Sequence, residues 1–149
     1  MGLARQAAEG VIAAFEGHKP QQVKQWLAAD FVFVDPNAPQ PLGADEWVGV
    51  NQNMQAAFPD LSYNFEILEE KGNQVWVRNN FEGTHKADWD LSRMGLGVVP
   101  ATGKSVSSGS AVTVGTVNDD GKVTRIEIVE AEPGSGAAGV MEQLGINMG

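Results

Sequence analysis

The 149-residue chain contains no cysteine. That excludes a disulfide framework, a thiol nucleophile and any cysteine-held zinc or iron–sulfur site. Histidine is almost as scarce: His18 and His85 are the two in the chain, too few for a three-histidine metal site. Positive charge is also in short supply. Ten Lys and Arg stand against 19 Asp and Glu, a formal net charge of −9, which argues against nucleic acid or an anionic membrane as partner. No run approaches the ~18 apolar residues that a membrane span requires. Arg5, Gln6 and Glu9 interrupt any apolar leader in the first ten residues, so the cytoplasm is the default compartment. No repeat or linker divides the chain, which reads as one domain over residues 1–149.

What is present is a packed-core composition, 42% hydrophobic, arranged as helices first and strands later. Leu3, Ala7, Val11 and Phe15 recur every four residues, an apolar helical stripe that Gly17 should stop. A short helix follows Pro20. Phe31-Val-Phe-Val34 reads as a strand ended by Asp35-Pro36, and three prolines in positions 36–41 demand a loop. Asp45 should cap a helix whose face carries Trp47, Val50, Asn51, Met54 and Phe58. Strands are then expected over Ser62–Glu69, with Tyr63, Phe65 and Ile67 on one side, and over Gln74–His85, with Val75, Val77, Asn79 and Phe81 on one side. Val106–Val117 and Val123–Ala131 should form a further hairpin, and Gly136–Leu144 a last helix. The long connection Lys86–Thr102 is a candidate pocket rim. Segregated helices and hairpin-linked strands mean an α+β fold.

Most motif tests fail. Gly134-Ser-Gly136-Ala-Ala-Gly139 matches a dinucleotide fingerprint in letters, but the chain ends ten residues later, too soon for a βαβ unit. No phosphate-binding loop, serine nucleophile elbow or zinc-protease pair is present. Without thiols or metals, the chemistry left is proton transfer by Asp, Glu or His. Asp35 at a strand end, His85 in Gly83-Thr-His85, and Glu127, sharing a face of the last strand with Arg125, Val123 and Val129, are the candidates. A carboxylate and an imidazole facing one apolar cavity can move protons without cofactor. Trp47, Asn51, Tyr63, Asn79, Phe81 and Trp89 are candidate ligand-lining residues. His18, after the first helix, is expected in solvent.

Several segments occur in a familiar order: Leu27-Ala-Ala-Asp30-Phe-Val-Phe-Val-Asp35-Pro36, Ala57-Phe-Pro-Asp-Leu61, Gly83-Thr-His85, Pro100-Ala-Thr-Gly-Lys104, Asp120-Gly-Lys122 and Gln143-Leu-Gly145. Together they resemble the SnoaL-like polyketide cyclase group of the nuclear transport factor 2-like, ketosteroid-isomerase-like superfamily. The resemblance implies a cone, with a curved antiparallel sheet wrapped around N-terminal helices (cystatin-like), a deep apolar pocket, and a homodimer formed through the outer sheet surface. It matches His85 to the group's histidine and Asp35 to the proton-shuttling aspartate of the isomerases. The cyclases' penultimate-strand aspartate has no counterpart, because Ala111–Val117 contains no carboxylate. Nor is there a tyrosine in the first helix, where Val11 or Phe15 stands.

The function these residues imply is a cofactor-independent acid/base enzyme of cyclase, isomerase or dehydratase type. Its partner would be a small apolar carbonyl or ester compound, with Asp35 or His85 removing a proton and Glu127 in reserve. The alternative is a non-catalytic protein that binds a polyketide- or lipid-like molecule in the same pocket.

Overall fold

The computed structural model describes residues 2–36, 40–92 and 95–146. Residues 37–39 of the proline-rich loop and 93–94 of the long connection lie outside that set. In chain order the elements are α1 (Leu3–Glu16), a 3₁₀ helix (Pro20–Trp26), β1 (Leu27–Val34), α2 (Ala44–Ala57), β2 (Glu66–Lys71), β3 (Gln74–Asn79), β4 (Glu82–Thr84), β5 (Trp89–Asp90), β6 (Val98–Val99), β7 (Ser105–Ser107), β8 (Ala111–Val117), β9 (Val123–Ala131) and α3 (Gly136–Gln143). The main sheet runs β1-β9-β8-β3-β2. Its inner pairs are antiparallel, while β1 joins the edge parallel to β9. This is the expected α+β architecture, a curved sheet with the N-terminal helices on its concave side.

The helices bury the faces their spacing dictates. In α1 the buried set is Ala4, Ala7, Ala8, Val11, Ala14 and Phe15. Leu3, placed by periodicity in that stripe, is 47% exposed. Phe15 is 1% exposed and meets Trp47 of α2 edge-on at 5.2 Å, a burial worth about 1.5–3 kcal/mol. Helix α2 begins two residues earlier than expected. Gly43 is its cap, the Glu46 carboxylate accepts the Gly43 N–H at 3.4 Å, and Asp45 pairs instead with Lys24 at 2.8 Å. Gly17 does end α1, but the left-handed residue is His18, at φ 57°. Its Nε2 donates to the Leu61 carbonyl at 2.8 Å, so the ring ties helix to strand rather than standing in water.

Both long strands expected from the sequence are broken at matching points. β3 ends at Asn79, and β4 pairs with β7 as a separate two-stranded ladder, Gly83 opposite Val106. At the break the Phe81 N–H donates to Ser108 Oγ and the Ser108 N–H donates to the Phe81 carbonyl, each at 2.8 Å. A side-chain oxygen thus takes the place of a ladder carbonyl, and the sheet turns. Gly109 follows in close contact with the loop before α3, where an added Cβ would stand 2.7 Å from the Pro133 carbonyl oxygen. The Gly134–Gly139 sequence also has a packing reason: Gly134 and Gly136 take positive φ, and any Cβ on Gly139 would run into the Gly134 carbonyl.

The last strand differs from its expected parity. Val117 pairs with Val123 but Thr116 pairs with Arg125, so one residue of β9 is extra. Such a bulge moves everything beyond it to the other face. Val123 stays in the core at 3% exposure, while Arg125 and Glu127 turn outward. A register shift also occurs within β2, where Ile67 pairs with Val77 but Glu69 with Trp76; Tyr63–Phe65, with Asn64 at φ 48°, precede the strand.

Ser108→Ala should leave the part-buried Phe81 N–H without its acceptor. Denaturant unfolding is expected to show a loss of about 1–3 kcal/mol; an unchanged midpoint would mean the bend does not depend on that hydroxyl.

Candidate functional site

Register sets which side chains share the concave face. Phe33 of β1 stands opposite Ile126, and Ile126 opposite Gly115. One row further, Ile128 faces Thr113, Thr113 faces Val77, and Val77 faces Ile67. Asn79, two residues beyond Val77, pairs with Ala111. Asp35 directly follows β1, and continued alternation would give it the inward parity of Phe33. Over this row stands Trp47, its ring stacked on Phe33 at 5.4 Å and tilted against Phe31 at 5.2 Å. Phe33, Phe65, Asn79, Phe81 and Thr113 are each half-buried there. The result is an aromatic-rich patch on the concave face, with Asn79 and Thr113 among its half-buried members.

Behind it lies a closed polar network. Gln55 Nε2 donates to Tyr63 Oη at 2.8 Å and to the Phe15 carbonyl at 3.3 Å. Tyr63 Oη donates to Asn51 Oδ1 at 3.0 Å, and Asn51 Nδ2 to the Trp47 carbonyl at 2.9 Å. Asn51 and Gln55 are each 7% exposed and Tyr63 2%. Burial pushes the Tyr63 phenol up, against the hydrogen bond from Gln55. Tyr63 is stacked with Phe15 and Phe65 at 5.2 Å each and meets Phe81 edge-on. Asn51 and Tyr63 were legible as lining residues. Gln55 was not singled out, although its i+4 spacing from Asn51 on α2 was there to read.

His85 sits elsewhere. Its ring is fully buried, stacked on Phe58 at 5.2 Å and edge-on to Trp89 at 6.4 Å. The Thr102 N–H donates to Nδ1 at 3.3 Å, and Thr102 Oγ1 lies 3.0 Å from the same nitrogen. Nε2 has no hydrogen-bond partner among the described residues. Desolvation pushes the ring's pKa down, while the Ala87 backbone and the Asp88 carboxylate push it up. A neutral ring whose Nδ1 accepts carries its proton on Nε2, so it is a donor and not a base.

The structure therefore divides the sequence candidates. Trp47, Asn51, Tyr63, Asn79 and Phe81 belong to the concave face or the network behind it, and Asp35 follows the end of β1. His85 and Trp89 form a separate cluster at the C-terminal end of α2, whereas Phe33 stacks near its N-terminal end. Between Trp47 and Phe58 the helix rises roughly 16 Å, which separates the Phe33–Trp47 stack from the ring of His85. Glu127 is on the outer face, opposite Val114, with Arg125 at 3.3 Å. The connection after His85 folds as the β5–β6 ladder, with Trp89 and Leu91 buried. Thr102 and Thr113 were missed: a hydroxyl on a loop or strand carries no local mark of what the register will put beside it.

Two surface clefts are present, the larger reaching Gln55 of the polar network from outside. One of about 500 Å³ is bordered by His18, Lys19, Gln52 and Gln55; one of about 360 Å³ lies beside α3. Among the described residues no group of three or more His, Asp or Glu is placed to hold a metal, and no helix is long and apolar enough to cross a membrane.

Residues 5–132 match the family model for the SnoaL-like polyketide cyclase. Solved structures of the same fold include AclR from Streptomyces galilaeus, described as a candidate hydroxylase. It superposes with a TM-score of 0.70 at 21% identity over 95% of each chain. IdmH from Streptomyces antibioticus, a candidate polyketide cyclase, gives 0.67 at 25% identity over 95% of this chain and 98% of its own. TsrD from Streptomyces laurentii gives 0.66 at 19% identity over 97% and 96%. No curated protein matches the sequence.

The depressed His85 pKa has a thermodynamic consequence. The unfolded ring titrates near its ordinary 6.5 and the folded ring lower, so between those values the unfolded chain binds the extra proton. The stabilisation is complete above about pH 6.5 and is lost as pH falls below it, at up to ~1.4 kcal/mol per pH unit. Unfolding free energies measured between pH 5 and 8 should show this slope in the wild type and lose it in His85→Gln. The same slope in both would detach it from His85.

Proposed function

The chain belongs to the SnoaL-like polyketide cyclase family, and from that membership we propose that it is a cofactor-independent acid/base enzyme. Its substrate would be a small, largely apolar carbonyl or ester compound held against the concave face of the sheet. The observation that supports this reading is the shared row of Phe33, Thr113 and Asn79 on the concave face, which continued alternation would extend to Asp35 just past the end of β1. The Pro that follows restricts the backbone of Asp35 to extended conformations and so limits where its carboxylate can point. In this reading the Asp35 carboxylate takes a proton from the carbon next to the carbonyl. The enolate oxygen meets the Asn79 amide or the Thr113 hydroxyl, and Asp35 returns the proton once the carbon skeleton has closed or rearranged. Trp47, Phe65 and Phe81 supply the apolar wall. His85, at the other end of α2, contributes as a hydrogen-bond donor to a second oxygen of an extended substrate.

A second reading has its own support. With no carboxylate in β8, Glu127 outside and His85 without a charge, Asp35 is the one sequence-nominated acid left for the concave face. A binding protein for a polyketide-like molecule would need no more than the aromatic wall, Asn79 and Thr113. Native mass spectrometry of what co-purifies identifies the ligand for both readings. With that compound, Asp35→Asn is expected to lower kcat by ~10²-fold or more while leaving binding within a few-fold. Tight binding with no turnover by the wild type would leave the binding protein.

Homodimerisation belongs to the same proposal. On the convex face the half-buried Trp76 stands with Val112 and Val114, each 9% exposed, on one side of β3 and β8 and apart from the main core cluster. Such an apolar patch on a sheet surface is a natural self-contact. Light scattering should give twice the chain mass of 15.8 kDa, and Trp76→Glu should halve it with unchanged circular dichroism; a monomeric wild type would sink the idea.

A further inference from the structure

We propose that Thr102 is a positioning residue that decides which nitrogen of His85 carries the proton, and thereby makes the ring a donor whose ligand partner is an oxygen acceptor. The argument is one of donors and acceptors. A backbone N–H can only donate, and that of Thr102 points at Nδ1 from 3.3 Å. Nδ1 must therefore offer its lone pair, and the Thr102 hydroxyl, 3.0 Å from the same atom, must donate as well. The hydroxyl's orientation is itself set, because the Lys104 N–H donates to Thr102 Oγ1 at 3.3 Å. Three groups from residues 102–104 thus converge to leave the ring proton on Nε2.

The backbone holds this arrangement in place. The His85 N–H donates to the Lys104 carbonyl at 2.9 Å and the Gly103 N–H donates to the His85 carbonyl at 2.8 Å, so the two segments are latched at that level of the β4–β7 ladder. The Lys86 and Ala87 N–H groups both reach the Ala57 carbonyl, tying the next residues to the end of α2. Stacking on Phe58 holds the plane of the ring, and the two Thr102 donors select the edge that presents Nδ1 to them. Nε2–H is then a fully buried donor with no hydrogen-bond acceptor among the described residues, and leaving a buried donor unsatisfied costs about 1–3 kcal/mol. A carbonyl or carboxylate oxygen recovers that energy; an ammonium or another N–H does not. Sequence gives a chemical reason for threonine here: serine would keep both donors, valine would remove one.

The choice of ligand class rests on the functional reading above, whereas the tautomer does not, and the experiment separates them. Nitrogen-15 NMR of histidine-labelled protein, with His18→Gln to assign the two rings, reports directly which nitrogen is protonated. At pH 7.5 the His85 ring is expected to show a protonated Nε2 and a bare Nδ1, in the wild type and in Thr102→Ser. In Thr102→Val the two signals should shift toward each other as the other tautomer gains population. A proton on Nδ1 in the wild type, or a Thr102→Val spectrum identical to wild type, overturns the assignment. Titration with acetophenone, an apolar ring bearing one carbonyl acceptor, should shift the Nε2 signal in wild type and Thr102→Ser. A correct tautomer with no such shift overturns the ligand class alone.

Discussion

The bend at Phe81 and Ser108 is the constraint on which the rest of this structure depends. Two strands that could have run straight are turned together, because one serine oxygen and one serine amide substitute for a rung of the ladder. Curvature of this kind needs a place where the pleat is interrupted, and a side-chain acceptor followed by glycine supplies it. Before the bend, β3 and β8 present Val77, Asn79 and Thr113 to the helices. After it, β4 and β7 form their own ladder, and His85, just beyond β4, stacks on Phe58 at the end of α2. One interruption therefore creates both chemical neighbourhoods of the protein and keeps them apart.

Each neighbourhood solves the problem of buried polarity differently. In the centre, Gln55, Tyr63 and Asn51 satisfy one another and two helix carbonyls, so the network locks α1, α2 and the β2 entry without charge. A closed set of this kind costs little to bury and resists rearrangement. Around His85 the account is left open by one donor. Neutrality is enforced there by desolvation, and the position of the proton by geometry. The acid that the family reading calls for stands at neither place but at the strand end, half-buried, where a carboxylate keeps contact with water and with its neighbours.

The elements themselves were legible from the order of residues. Helical stripes in α1 and α2, the Phe31–Val34 strand and the turn at Asn118–Gly121 all follow from periodicity and turn chemistry, which act over a few residues. The ordered motifs from Asp35-Pro36 to Gln143-Leu-Gly145 carried the family, since each marks the end of an element and ends are where local chemistry is strongest. Asn51 and Tyr63 were found because aromatic and amide groups on an otherwise apolar face stand out.

What only the tertiary structure decided was which face and which neighbour each group received. One extra residue in β9 moved Glu127 from the expected inner face to the outer one, since side chains alternate and a single insertion reverses them all. The break after Asn79 put His85 beside Phe58 and Thr102, just past a ladder separate from the main sheet. Gly134–Gly139, a ligand motif in letters, became a backbone contact. The sequence alone determined the fold family, the absence of thiol chemistry and the missing acid of the penultimate strand, because composition and motif order do not depend on register. It could not determine the site, because parity depends on bulges and on contacts between residues dozens of positions apart.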